Sequence, residues 1–408
     1  MKRSLKILPV AGAIGAAAVL PAAAASAGPA VPTLQGRAIL SAEALSDGPP
    51  SGAAIGNGLV NGVLFPRPSQ PVIGFSAIVA GPRDGTYVAM PDNGFGSKAN
   101  SADFLIRAYE IRPKFKTANG GSGEVKVGEY VRFRDPNAKF PYPMTRPDRL
   151  FTGADIDPES MQRGSNGDIW MGDEFGPWIL HFNRQGVLLD APFEVPGGLR
   201  SPSHPLVLSG QATATHPNSR GFEAMAISPD GSKLYGILEG PTNAQGTTST
   251  DRTVFEFSTG QKAFTPRTWT YRTETAPYLV ADAWALDANR LVVIERDAGR
   301  GLTAVFRNVY VVDLQAAPGS VVTKRQVVDL AAIADPNLVS LPEKYPGDVG
   351  LGNPFRVTCE SVEAVHVLGP SRLLVGCDNN LPNSGRNPTR ADDTELIVID
   401  VPGLSTGH

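Results

Sequence analysis

The chain has 408 residues, 41% of them apolar and 19% charged, with 37 basic residues against 40 acidic ones. That composition suits a folded protein with a large core, and its charge balance excludes a general attraction to nucleic acid or anionic lipid. Its 44 glycines and 36 prolines fall between short apolar runs, which favours many short strands and turns over long helices.

Lys2, Arg3 and Lys6 open the chain, followed by the apolar run ILPVAGAIGAAAVL and the small triplet Ala25-Ser26-Ala27. This is the layout of an export signal cut after Ala27, so residues 1–27 are expected to be removed and 28–408 to form one domain. The run is too short and too interrupted by proline to favour a membrane anchor, and no later stretch is apolar enough to span. Removal leaves 34 basic residues against 40 acidic ones, a balance of −6. The expectation is a secreted, monomeric protein that acts on a small molecule.

From residue 74 onward one pattern recurs. GFSAIVAGPRDGTYVAMPDNG (74–94) reads as strand, turn, strand, ending in Asp92. DPESMQRGSNGDIWMGDEFGP (157–177) repeats it with Glu159 near the first end and Asp173-Glu174 at the second. GFEAMAISPDGSKLYGILEGP (221–241) carries Glu223 and Glu239, and ADAWALDANRLVVIERDAG (281–299) carries Asp282 and Glu295. VEAVHVLGPSRLLVGCDNN (362–380) carries Glu363 and Asp378. From Glu159 to Gly167, and from Glu223 to Gly231, the interval is eight residues. A third strand follows each unit: FLIRAYEI, WILHFN, TVFEFS, NVYVVDL and ELIVID.

Antiparallel sheets repeated at this period predict an all-β fold, a β-propeller. A two-sheet sandwich leaves the fixed offsets of the acids unexplained. Roughly 380 residues at about 63 per unit point to six blades, with five or seven as the alternatives. GEYVRFRDP or ATATHPNSR are candidate strands for the sixth blade, and the N-terminal GRAIL for completing the last.

Inner strands of a propeller line its channel, so acids at their ends form a ring around one mouth. The expected ring is Asp92, Glu159, Glu174, Glu223, Glu239, Glu295, Glu363 and Asp378. Aspartate at a strand end is ordinary turn chemistry, but glutamate is a poor turn residue and recurs here at matching offsets. Crowded carboxylates need a cation, and hard oxygen ligands in this number suit Ca²⁺ better than Mg²⁺. Cys359 and Cys377, near the open ends of the last hairpin, are expected to form a disulfide.

The same residues carry a family resemblance. GFSAI…YVAMPDNGFG, DPESM…GDIWMGDEFGPWILHF, NSRGFEAMAISPDGSKLYGILEGP, LVVIERDAG and SVEAVHVLGPSRLLVGCDNN resemble, in order and over most of 74–401, the secreted phytase-like proteins described as having esterase-like activity of phytase. The resemblance implies a propeller, export, hydrolysis of esters or phosphoesters, and calcium. It carries Glu159, Asp173, Glu174, Arg220, Glu223, Glu239, Glu295, Arg296, Glu363, Asp378 and Asn379 to the site. Glu-Ser at 159–160 and Glu-Ala at 223–224 and 363–364 depart from the family's Glu-Gly, and Asp92-Asn93 departs from its Asp-Asp or Asp-Arg pair.

Hydrolysis on such a platform needs a metal to polarise the ester, a carboxylate base and a cationic anion-holder. Glu223 and Glu174 are the expected catalytic carboxylates, with Arg296 and Arg220 as catalytic cations; Arg107 is a further candidate. Salt bridges to neighbouring acids are the plain alternative for these arginines. No Gly-x-Ser-x-Gly elbow, P-loop or dinucleotide fingerprint is present, and the five histidines show no metal-binding spacing. His366, in an apolar strand, reads as a blade residue. Two other functions fit a propeller: a calcium-stabilised binding platform without catalysis, and a lactonase.

Overall fold

Alternating apolar residues place strands where the repeats predict them. In the third repeat, Ala224–Ile227 and Lys233–Ile237 pair antiparallel from Ala224↔Ile237 to Ile227↔Leu234. Their turn uses Gly231 at φ +72°, and Gly167 takes φ +86° at the same offset in the second repeat. Glycine adopts this left-handed conformation without the clash that a Cβ brings. The computed structural model describes Met1 and residues 31–405, so the export signal expected at 1–27 lies, Met1 apart, outside the described residues.

Five four-stranded antiparallel blades follow one another around a ring, the fifth joined to the first by one parallel bridge, Ile39↔Glu124, so that these two form a continuous eight-stranded sheet. The first is Ala77–Ala80, Tyr87–Met90, Arg107–Lys114 and Glu124–Arg132. The second is Pro158–Arg163, Ile169–Asp173, Trp178–Phe182 and Phe193–Glu194, and the third Ala224–Ile227, Lys233–Ile237, Asp251–Ser258 and Ala263–Arg272. The fourth is Leu279–Ala285, Arg290–Arg296, Arg307–Asp313 and Thr323–Asp329. The fifth combines Ser361–Gly369, Arg372–Asp378 and Thr394–Asp400 with the N-terminal strand Thr33–Leu40, which pairs antiparallel from Thr33↔Asp400 to Leu40↔Thr394. GRAIL does complete the last blade, and this pairing ties the two ends of the chain together.

Each first strand packs against the first strand of the next blade, and the fifth against the first, so the ring closes. Five buried apolar clusters fill the five junctions between blades. The fold is therefore an all-β propeller with five blades among the described residues, which corrects the expectation of six. Division by length overcounts because the connections are long: 133–157, 195–223 and 330–360 contain no blade strand. GEYVRFRDP supplies part of the first blade's outer strand, and ATATHPNSR lies in a loop.

Cys359 and Cys377 are bridged, with Cα atoms 6.2 Å apart, fixing the approach to the fifth blade onto its second strand. His366 is buried in that blade, its ring edge-on to Trp284 with centroids 4.0 Å apart. No helix among the described residues is long and apolar enough to cross a membrane.

Candidate functional site

Strand pairing in the inner strands is interrupted at one repeated position. The register skips Glu159 in the second blade, Ala281 in the fourth and Glu363 in the fifth. Such a bulge leaves one residue unpaired and re-aims its side chain. Glu159 and Glu363 both line a cavity of about 260 Å³ at the channel mouth. Glu223 reaches it from just before the third blade's first strand, and Ser76 holds the corresponding place in GFSAI of the first. Glu174, Glu239, Asp92 and Asp378 reach it from the ends of second strands.

Two glycines let the blades approach there. A Cβ on Gly74 would lie 2.0 Å from Asp378 Oδ1, and one on Gly221 2.6 Å from the Glu174 Cα. In each case the glycine N–H donates across the blade junction, to Asn379 Oδ1 at 2.9 Å and to Glu174 Oε1 at 2.9 Å.

Nine carboxylate residues and two arginines line the cavity, so it carries a large excess of negative charge. The compensation is uneven. Arg296 Nη2 lies 2.8 Å from Glu363 Oε1, 3.3 Å from Glu239 Oε1 and 3.7 Å from Glu223 Oε1. Arg220 Nη1 lies 2.7 Å from Glu239 Oε2. Asp92, Asp157, Glu159, Glu174 and Asp378 have no ion pair among the described residues. Instead their oxygens crowd one another: ligand atoms of Asp92, Asp157 and Glu159 lie within 4.8 Å of each other, as do those of Glu159, Glu174 and Glu223.

Burial pushes these groups upward. The Asp92 carboxyl rises to about 7 through burial, helped by the charge of Glu363. Asp157, Glu159, Glu174, Glu223 and Asp378 rise well above the usual carboxylate range, first through burial and then through neighbouring acids. Glu239 also rises through burial, against the pull of Arg220 and Arg296. Arg296 is opposed by its own burial, yet Glu363, Glu239 and Glu223 hold its guanidinium above its usual value. Each shift says that the site, as an empty set of charges, favours protons or a cation.

Glu295 corrects the expected ring. It neighbours Arg296 on a strand, where successive side chains face opposite ways, and it is Arg296 that lines the cavity. Glu295 instead accepts from Tyr271 Oη at 2.6 Å and the Glu274 amide at 2.7 Å, and pairs with Lys324 Nζ at 2.6 Å. It ties the third blade to the fourth. Asp282, the other acid of that repeat, accepts the amides of Ala283 and Val365 at 2.7 Å each, which joins the fourth and fifth blades. Arg107 is buried in the first blade, donating to Ser46 Oγ at 2.7 Å and the Asp47 carbonyl at 2.8 Å, away from the cavity.

Asp173 turns inward to accept the amides of Asp157 and Gly176, at 2.7 and 2.8 Å. Asn379, through its contacts to Gly74 and the Asp392 carbonyl, braces the strand end that carries Asp378. Asp157 is a lining carboxylate that the repeat pattern does not single out. It lies just before the strand Pro158–Arg163, two residues from the bulged Glu159, where a period count gives no facing.

Known proteins can now be set beside this geometry. An uncharacterized secreted protein of Arthroderma benhamiae is 24% identical over 220 residues, covering 40% of this chain. The match spans 42% of that relative's length. Among solved structures, a luciferin-regenerating enzyme superposes with a TM-score of 0.38 at 10% identity, covering 81% of this chain and 78% of the other. The Dos1 propeller gives 0.32 at 9% identity, covering 85% and 72%, and a GH43 β-1,3-galactosidase 0.43 at 9%, covering 88% and 94%. Likenesses this loose say nothing of chemistry. The model of the phytase-like family, described as esterase-like activity of phytase, matches residues 70–381, three-quarters of the sequence, and the chain belongs to that family.

Proposed function

We propose that the chain is an exported hydrolase of esters or phosphoesters that works at the channel mouth with Ca²⁺, its signal removed after Ala27 and residues 28–408 forming one domain. The observation that carries this reading is the gathering of Asp92, Asp157, Glu159, Glu174 and Asp378 in one cavity without a cation of their own. Family membership supports the ester chemistry, and the disulfide and the secreted relative support export.

The donor set fits the ion. Two oxygens on one Ca²⁺ at about 2.3–2.6 Å lie at most about 5 Å apart, and both carboxylate triads meet that limit. Glu159, shared by the triads, would hold it together with Asp92 and Asp157 or with Glu174. Bound there, Ca²⁺ would supply polarisation of the ester or phosphoryl oxygen and a lowered pKa for attacking water.

The chain's own residues divide the remaining work. Glu223 stands between the unpaired acids and Arg296, whose guanidinium favours its carboxylate form against the raising effect of burial, and in that form it would take the proton from attacking water. Arg220 pairs with Glu239 through Nη1 but has its side chain 36% exposed, so its remaining N–H groups would reach an anionic substrate group. Arg296 is committed to three carboxylates and acts as a positioning residue for Glu223, Glu239 and Glu363.

Turnover of p-nitrophenyl phosphate and p-nitrophenyl acetate, with millimolar Ca²⁺ and with chelator, tests the reading. Chelator-sensitive turnover that Glu223→Gln lowers by about 10²–10⁴-fold, at unchanged melting temperature, is expected. Calcium-dependent melting without turnover of either ester would make the protein a non-catalytic platform.

A further inference from the structure

Lys98 lies on the loop 94–101, GFGSKANS, between the second and third strands of the first blade, two residues beyond the part of that loop that lines the cavity. Gly96 of that loop lines the cavity directly. The loop is held in place by its own polar groups. Gly96 N–H donates to Asn93 Oδ1 at 2.9 Å, Phe95 N–H to Ser101 Oγ at 3.1 Å, and the Asn100 and Ser101 amides to the Ser97 carbonyl at 3.1 Å. A Cβ on Gly153 would lie 1.8 Å from the Asn93 carbonyl oxygen, so the base of the loop is pressed against the segment that leads into the second blade.

From there Lys98 crosses to the second blade, and its Nζ stands 3.8 Å from the centroid of the Phe175 ring, the residue after Glu174. The ammonium feels Asp173, Asp157 and Asp155, which oppose the lowering of its pKa by burial. Yet it forms no ion pair or hydrogen bond among the described residues. A ring face satisfies the charge and leaves the three N–H donors unused. Arg296, the deep cation of the cavity, is taken up by three carboxylates.

We infer that Lys98 is a substrate-binding residue that selects for an oxyanion: its ammonium, parked on Phe175, holds the phosphate or carboxylate of an anionic ester at the side of the first and second blades, while Arg220 serves the side of the third. This rests on the hydrolase reading of the same cavity. A point charge on a flexible stem suits a group whose position changes between binding and release, whereas the fixed loop keeps the lysine from collapsing into the ring of acids.

The test compares Lys98→Met and Lys98→Arg with the wild type in Ca²⁺. Lys98→Met should raise KM for p-nitrophenyl phosphate about tenfold and leave kcat/KM for p-nitrophenyl acetate unchanged, with Lys98→Arg restoring most of the loss. Titration calorimetry with inorganic phosphate should show the same tenfold weakening in Lys98→Met, a readout independent of turnover. Equal losses on both esters, an unchanged KM and phosphate affinity, or a lowered melting temperature that accounts for the loss would each overturn the inference. Wild-type protein that binds phosphate through Lys98 but turns over neither ester would sink the hydrolase reading and leave the anion site standing.

Discussion

The two halves of the carboxylate ring solve the same electrostatic problem differently. Glu223, Glu239 and Glu363 surround Arg296, with Arg220 adding a second cation to Glu239, so this half brings its own positive charge. Asp92, Asp157, Glu159, Glu174 and Asp378 form no ion pair among the described residues, and the nearest cations, Lys98 for Asp157 and Arg220 for Glu174, act on them only through space. The fourth blade marks the change: at the bulge where the second and fifth blades carry glutamate it has Ala281, and its second strand sends in Arg296. A guanidinium thus occupies the sector where the repeat pattern calls for another acid. The paired half is complete as a fold, while the unpaired half is left for a cation from outside.

The largest effect should come from removing the internal cation. Arg296→Met leaves three buried carboxylates facing one another, and breaking a buried ion pair from one side costs about 3–5 kcal/mol. Urea unfolding at pH 8 in chelator should show a loss of that size. A variant as stable as wild type would mean that the two halves do not differ as described.

The complementary change acts on the unpaired half. Ca²⁺ at a hundred times its dissociation constant should stabilise the wild type by about 2.7 kcal/mol. Glu159→Gln should abolish most of that gain, because Glu159 belongs to both triads. In chelator the same variant should melt higher than wild type, since one buried and unpaired charge is gone. Equal calcium responses in the two proteins would remove Glu159 from the site.

How much of this could be read from sequence follows from the same contrast. The acids at Glu159, Glu174, Glu223, Glu239 and Glu363 were legible because each stands near an end of a strand in a recurring hairpin, with the same eight-residue offset to the turn glycine after Glu159 and after Glu223. Glu295 was misplaced by one residue: the pattern marks an acid near the end of a second strand, but only pairing register shows that Arg296 faces inward. Bulges are invisible to a period count, so the equivalence of Ala281 with Glu159 and Glu363 emerges only from the strand pairing. Arg107 failed for a different reason, since a lone arginine gives no sign that its partners are a hydroxyl and a carbonyl of a distant segment, Ser46 and Asp47. The blade count failed because loops and strands contribute alike to chain length.

A pH series sharpens the comparison without mutation. The unpaired acids have folded pKa values raised above their unfolded ones, Asp92 to about 7. Such groups contribute stability that is full below the unfolded values, near pH 4, and lost as pH rises through the folded ones. In chelator, stability should therefore fall between about pH 4 and 7 and beyond, by about 1.4 kcal/mol per pH unit for each proton retained on folding. In Ca²⁺ the fall should flatten, because the ion replaces the protons and binds better as they leave. A chelated protein most stable at pH 8 would contradict the assignment of this half as uncompensated.

The smallest effect belongs to the outer cation of the paired half. Arg220 and Arg296 both touch Glu239, but the Arg220 side chain is 36% exposed and that of Arg296 only 6%. Solvent screens the exposed pair, so Arg220→Met should cost no more than about 1 kcal/mol, against the several expected for Arg296→Met. Glu239 keeps Arg296 as a partner, which limits the loss further. The functional effect should run the other way, with KM for p-nitrophenyl phosphate rising while kcat changes little. If Arg220→Met destabilises the fold as much as Arg296→Met, both arginines belong to one structural unit, and Arg220 is not free to hold substrate.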